Sequence, residues 1–157
     1  GGLAFRRHPA RVNVGGAGGA EAIGYFAYAA GPEKIVVDYC GLGDPLLARL
    51  PACNVSSPDF WKSGHFYRLP PDGYLESLAS GQNRIQNPAV RAYYDALLRV
   101  VRGPDLFDPA RLATIVRFNL GLYDSLLESY AAQVDAALGD RDCRRIMAQR
   151  VGPFELR

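Results

Sequence analysis

Two aspartates frame a short glycine-bearing stretch, Asp38-Tyr39-Cys40-Gly41-Leu42-Gly43-Asp44-Pro45. They follow the β-branched run Lys34-Ile35-Val36-Val37, so both carboxylates are expected at the carboxyl end of a strand. Ligands of open α/β sheets gather at that edge, which makes Asp38, assisted by Asp44, a candidate for binding a sugar or another polar ligand. A local reading competes. Asp44 stands just before Pro45 and suits a helix N-cap, the stronger explanation for that residue, while Asp38 can simply tie down a loop. A second group centres on His65, set among Trp61, Phe66, Tyr67 and Arg68. Aromatic rings with polar tips suit carbohydrate, because apolar sugar faces stack on rings while hydroxyls need fixed partners. A loop anchored to the core by its aromatics gives the same pattern.

Other chemistries find less support. His8 and His65 are the only histidines, and neither has a second ligand at helical spacing, so no metal site is expected. Cys40, Cys53 and Cys143 fit no zinc spacing and are too few for a disulfide scaffold. Buried or half-buried thiols are the reading for them, with one disulfide and an odd thiol left over as the alternative. No Gly-x-Ser-x-Gly elbow occurs, and nothing near Cys40 in sequence would lower its pKa, so no catalytic residue is assigned. The glycines Gly15 to Gly19, with Asp38 about 20 residues beyond, invite a dinucleotide site. The glycine pattern departs from that scheme, however, and Glu21 puts a negative charge where a phosphate would sit. No cofactor is expected.

The elements that must position these residues start with Arg11–Val14, which alternates like a short strand. Residues 21–30 read as a helix stopped by Gly31-Pro32, and Lys34–Asp38 reads as the clearest strand. Strand, helix and strand together predict one βαβ unit. Asp44-Pro45 then starts a short helix that ends before Pro51. Residues 52–71 form a long irregular connection, in which Gly64–Arg68 could be a strand. Pro71-Asp72 opens another short helix, closed by Gly81. Asn87-Pro88 and Asp108-Pro109 repeat one helix-start signal. The first helix carries a stripe of Val90, Tyr94, Leu97, Leu98 and Val101, and the second turns Leu112, Ile115 and Val116 inward. A further stripe runs from Tyr123 through Leu126, Leu127, Tyr130 and Val134 to Leu138. The predicted class is α/β, a small βαβ-containing sheet with a largely helical C-terminal half.

Size and composition set the outer limits. A chain of 157 residues has room for one domain with a real core, so residues 1–157 are read as a single soluble domain. Its hydrophobic fraction of 48% and charged fraction of 22% argue against wholesale disorder. The formal net charge is +2, spread over both halves, and lacks the concentrated positive patch that a phosphate backbone requires. Nucleic acid is therefore a poor partner. No stretch approaches the ~20 apolar residues that span a bilayer. Met147 is the only methionine, so the sequence is read as an excised part of a longer protein.

Several stretches taken together carry a family resemblance. Ala30-Gly31-Pro32 runs into Ile35–Asp38 and then Gly41–Pro51. Gly64-His65, Pro71–Glu76, Asn83-Arg84-Ile85, Tyr93-Tyr94-Asp95 and Arg102-Gly103-Pro104 follow in order. Over roughly Val12 to Tyr123 the chain resembles the soluble C-terminal domain of bacterial GT-C membrane glycosyltransferases, of which mycobacterial terminal arabinofuranosyltransferases are members. The resemblance implies a domain on the extracytoplasmic face of the cell membrane, following a bundle of transmembrane helices. Enzymes of this kind transfer sugar from a polyprenyl-phosphate donor to a cell-envelope glycan. Their catalytic carboxylate lies in the membrane part, so no position here inherits it. The matching positions that would meet a glycan are Asp38, Asp44, His65, Arg68, Asn83 and Arg84. The expected partners are cell-envelope glycan and the protein's own transmembrane domain, with membrane contact only through that part. The expected role is an accessory glycan-binding or acceptor-positioning domain. Alternatives are a structural domain that packs on the membrane part or a neighbouring chain, and a free-standing nucleotide-binding protein.

Overall fold

Helix-start chemistry places the largest elements. In a computed structural model, which describes residues 11–14, 28, 34–38, 40–52 and 68–138, Asn87 and Asp108 each cap a helix whose first residue is proline. The Asn87 side chain accepts from the backbone N–H of Ala89 (3.0 Å) and Val90 (3.1 Å), and Asp108 accepts from Ala110 (3.0 Å). Each cap satisfies donors that the first helical turn leaves unpaired. The helices whose bounds fall among the described residues are α1 (Tyr74–Ser80), α2 (Pro88–Arg102), α3 (Pro109–Asn119) and α4 (Asp124–Leu138). α2 is the hub, packed against both α3 and α4.

The α/β prediction is wrong. The chain is mostly helical. Among the described residues, strand is confined to β1 (Arg11–Val14) and β2 (Lys34–Val37), four residues each and paired in parallel. Such a pair is a ribbon, not the layer on which an α/β domain packs its helices, so no βαβ-based sheet organises this fold. The β-branched run Ile35-Val36-Val37 supplies strand propensity locally, but a sheet needs further strands beside it. The predicted helix over 21–30 lies outside the described residues, apart from Tyr28. The predicted strand over 64–68 does too, apart from Arg68. The helix expected after Pro45 shrinks to a single 3-10 turn, Leu47–Arg49.

The core gathers where the 37–50 segment, α1 and α2 meet. Val37, Leu46, Leu47, Ile85 and Val90 are completely buried, and Tyr74, Tyr93, Tyr94 and Leu97 nearly so. Burial of each large apolar side chain contributes about 1.5–3 kcal/mol. The tyrosine rings meet edge to face: Tyr74 and Tyr94 have centroids 5.5 Å apart at 81°. Tyr93 meets Phe118 of α3 in the same way, at 5.3 Å and 85°. α4 contributes Leu126, Leu127, Tyr130 and Val134, all half-buried against this core.

The predicted α2 stripe holds at Val90, Tyr94 and Leu97, and Leu98 is half-buried, but Val101 is exposed. On α3 the prediction fails for two of three residues. Thr114 is buried and Phe118 packs on the core, whereas Leu112 and Val116 face solvent. Ile115 lies between the two faces.

Candidate functional site

The loop after β2 folds around its own aspartates. The Asp38 carboxylate accepts from the backbone N–H of Cys40 (3.0 Å) and Gly43 (2.7 Å), while its carbonyl accepts from Gly41 (2.8 Å). These bonds close a tight turn, and Gly41 sits in it with φ +73°. A Cβ at that position would lie 2.9 Å from the backbone of Ala48, which excludes larger residues. The turn delivers Asp44 to the start of the 3-10 segment. There Oδ1 accepts from Leu46 (3.0 Å) and Leu47 (2.8 Å).

Tyr74 completes this arrangement from 30 residues away in sequence. Its hydroxyl donates to the Asp44 carboxylate, 2.8 Å from Oδ1 and 2.7 Å from Oδ2. Asp44 is 7% exposed and Tyr74 is 1% exposed. Burial pushes the Asp44 carboxyl above the usual carboxylate range, outweighing the hydrogen bonds from Leu47, Tyr74 and Leu46 that pull it down. Burial first, and then the neighbouring Asp44 charge, hold the Tyr74 hydroxyl far above an ordinary phenol. It is a permanent donor.

Arg68 joins the same cluster. Its Nε–H donates to the Leu50 carbonyl at 3.2 Å, and its terminal nitrogen donates to the Cys40 carbonyl. The guanidinium thus clamps the two ends of the 40–50 segment. Cys40 is half-buried. Burial, helped by the Asp38 charge, raises its thiol pKa, with Arg68 acting weakly in the other direction. That environment is the reverse of one that makes a nucleophile.

Asn83 and Arg84 lie in the connection from α1 to α2, whose backbone abuts Gly73 beside Tyr74, and their side-chain hydrogen bonds run to other partners than this cluster. The Asn83 amide donates to the Arg91 carbonyl (2.9 Å) and to Asp95 (2.8 Å), and its oxygen accepts from Ile85 N–H (3.2 Å). Its side chain therefore pins the connection to α2. Arg84 is exposed and donates to the Gln82 side chain at 2.7 Å. Its backbone N–H donates to Ser77 Oγ at 2.7 Å, which returns a bond to the Gly73 carbonyl.

His65, Cys53, Cys143 and the glycines at 15–19 lie outside the described residues. Of the six glycan-contact candidates, the fold engages Asp38, Asp44 and Arg68 in one loop framework, while the Asn83 and Arg84 side chains bond to α2 and to their own connection. Each of the three gathered side chains is engaged by the chain's own backbone, so the cluster acts as a framework for the loop. Among the described residues no group of three or more His, Cys, Asp or Glu side chains is placed to hold a metal ion. Likewise, no described helix is long and apolar enough to cross a membrane.

Sequence reasoning overlooked two features. One is Tyr74, the distant partner of Asp44. The other is the outward side of α3, where Leu112 (45% exposed), Val116 (55%) and Leu120 (68%) follow one another at spacings of four. Leu106 and Phe107, in the turn before the helix, and Leu122, in the turn after it, are exposed as well. The spacing of four marks the row but not the side of α3 on which it faces, because Thr114 and Phe118 compete for the core.

Comparison of this chain with known protein families, with curated proteins and with solved structures found no match.

Proposed function

We propose that this chain is a non-catalytic packing domain of a cell-envelope membrane glycosyltransferase that uses a polyprenyl-phosphate sugar donor, held on the extracytoplasmic side of the membrane. The resemblance in sequence supplies the setting. The observation that carries the packing role is the distribution of polar and apolar groups. Asp38, Asp44 and Arg68 are engaged within the fold, whereas the α3 ridge turns large apolar side chains outward. Exposed apolar residues that cluster, rather than scatter singly, mark protein interaction surfaces. The test is made in the parent membrane enzyme. Val116→Asp with Leu120→Asp should leave the fold intact and sharply reduce glycan transfer or assembly. Wild-type transfer and assembly in that variant would overturn the packing role.

A second reading keeps direct contact with glycan, motivated by Arg84, whose charged side chain stays exposed beside Gln82 and the half-buried Asn83. Titration with cell-wall oligosaccharides, followed by amide NMR shifts, separates the two. Shifts grouped around Asn83 and Arg84 support glycan contact, and their absence at millimolar sugar removes it.

A further inference from the structure

We propose that the Tyr93 hydroxyl, Arg49 and Asp124, with the ring surfaces of Phe118 and Tyr123 beside them, form a binding site for one sugar ring. The site goes beyond the packing role and does not depend on it. It uses none of the residues matched to glycan contact in the sequence.

Tyr93 is 3% exposed. Its ring is held edge to face by Phe118 of α3, at 5.3 Å and 85°, and by Tyr123, at 6.4 Å and 84°. Buried polar groups are hydrogen-bonded as a rule, and Tyr74 obeys it through Asp44. Tyr93 does not. Among the described residues, none donates to its hydroxyl or accepts from it. Nor is that oxygen sealed in, because the only fully buried side-chain polar atom without a partner among the described residues is Arg111 Nε. The ring is therefore buried while its polar tip opens at the surface.

Two other elements bring charge to that tip. Arg49 ends the 3-10 turn Leu47–Arg49 and Asp124 begins α4, and both residues are exposed. Burial raises the pKa of the Tyr93 hydroxyl. The Arg49 charge pulls it down and the Asp124 charge pushes it up, so both charges are felt at the same oxygen. The phenol keeps its proton and can donate as well as accept. Arg49 commits one terminal nitrogen to the Pro45 carbonyl at 2.8 Å, and no described side chain pairs with the Asp124 carboxylate.

The set combines a donor-only cation, an acceptor-only anion and a hydroxyl of both kinds. A simple anion would be repelled by Asp124, and a simple cation by Arg49. Hydroxyl groups donate and accept, and adjacent ones match all three partners without carrying charge. Phe118 and Tyr123, with ring centroids 4.6 Å apart, are half-buried and keep part of their surface in water. Apolar faces of sugar rings lie against such surfaces while their hydroxyls take fixed partners. A sugar ring satisfies both halves of the site.

Amide NMR of the 157-residue chain, titrated to tens of millimolar with the methyl glycosides of glucose, galactose, mannose and arabinose, tests the site. At least one glycoside should shift amides grouped at Arg49, Tyr93 and Asp124. Tyr93→Phe keeps the ring and should weaken binding about fivefold or more. It should leave the thermal midpoint unchanged, because the hydroxyl has no partner in the fold to lose. Arg49→Gln and Asp124→Asn should each weaken binding too, and Arg99→Gln, at an exposed arginine of α2, should not. Glycine, which carries both charges and no hydroxyl, should leave the same amides in place.

No grouped shifts with any of these glycosides, or equal binding by Tyr93→Phe, overturns the site. A clear fall in the melting temperature of Tyr93→Phe also overturns it, since the hydroxyl then serves the fold. Equal shifts with glycine overturn its assignment to sugar. Shifts grouped instead at Asn83 and Arg84 overturn this site and support the second reading above. The packing role is read separately, by Val116→Asp with Leu120→Asp in the parent enzyme.

Discussion

The Asp44 carboxylate is 7% exposed and receives hydrogen bonds from Leu46, Leu47 and Tyr74. Val116 of α3 is 55% exposed and stands between Leu112 and Leu120 in a row that the fold leaves in water. One region buries polar groups and supplies each with a partner, and the other exposes apolar groups. Burial of a carboxylate costs free energy unless donors replace its water, so the Asp44 cluster persists only because three separate donors converge on it. Exposure of a branched side chain costs far less and leaves the fold free to use that surface for something else. The difference separates residues that hold the molecule together from residues available to a partner.

The largest effect expected of a single substitution belongs to the first region. Gly73 precedes α1 with φ +85°, and a Cβ there would stand 2.0 Å from the Arg84 carbonyl oxygen. Gly73→Ala combines left-handed backbone strain with a clash against backbone that cannot swing aside. It should cost about 3 kcal/mol or more in a urea unfolding experiment. A loss below about 1 kcal/mol would show that the 83–85 connection yields easily, and that this region is less rigid than its hydrogen bonds suggest.

Tyr74→Phe comes next. The substitution keeps the ring and its edge-to-face packing on Tyr94 but removes the donor that faces both oxygens of Asp44. A buried carboxylate deprived of one partner should lower stability by about 2 kcal/mol. Tyr74→Phe combined with Asp44→Asn should lose less than the sum of the two single substitutions. Additive losses would mean that the two groups do not depend on each other.

The same pair makes a pH prediction of smaller size. Burial raises the Asp44 pKa in the folded state above its ordinary 3.8. The folded chain therefore holds this proton at a pH where the unfolded chain has released it. The stability so gained is full below the ordinary value and is lost as pH rises through the folded value. Urea midpoints of the wild type and Asp44→Asn, compared between pH 4 and 7, should move in favour of the wild type as pH falls. Movement in the other direction would mean that the hydrogen bonds outweigh desolvation.

What the sequence reveals divides along the same line. The caps at Asn87 and Asp108 are legible because cap, proline and helix lie within four residues. The cap at Asp44 is legible for the same reason, but its partnership with Tyr74 spans 30 residues and has no local sign. Ile35-Val36-Val37 displays strand propensity, yet whether a sheet forms depends on partners that lie elsewhere in the chain. For α3 the difficulty is different, since both sides carry apolar residues at helical spacing. Leu112, Ile115 and Val116 compete with Thr114 and Phe118 for the core. Phe118 decides the matter by reaching the rings of Tyr93 and Tyr123, which no pattern within α3 can reveal. The candidate site has the same character: residue types drew attention to Asp38 and Arg68, but only the fold shows their donors and acceptors turned toward the chain's own backbone.

The smallest effect on folding is expected on the ridge, where it carries the most information. Val116→Ser removes an exposed branched side chain from a helix. Valine and serine have similar helix propensities, and more than half of the valine is already in water, so stability should change by no more than about 0.5 kcal/mol. The same substitution should lower glycan transfer or assembly in the parent enzyme of the proposed function, because all of its apolar surface is lost to the contact. Unfolding of the chain and transfer by the parent enzyme set the two effects side by side. A fall in stability near that of Tyr74→Phe would place Val116 with the buried framework and remove the contrast between the two regions. A near-zero change in folding together with loss of transfer or assembly would assign the ridge to packing on a partner alone.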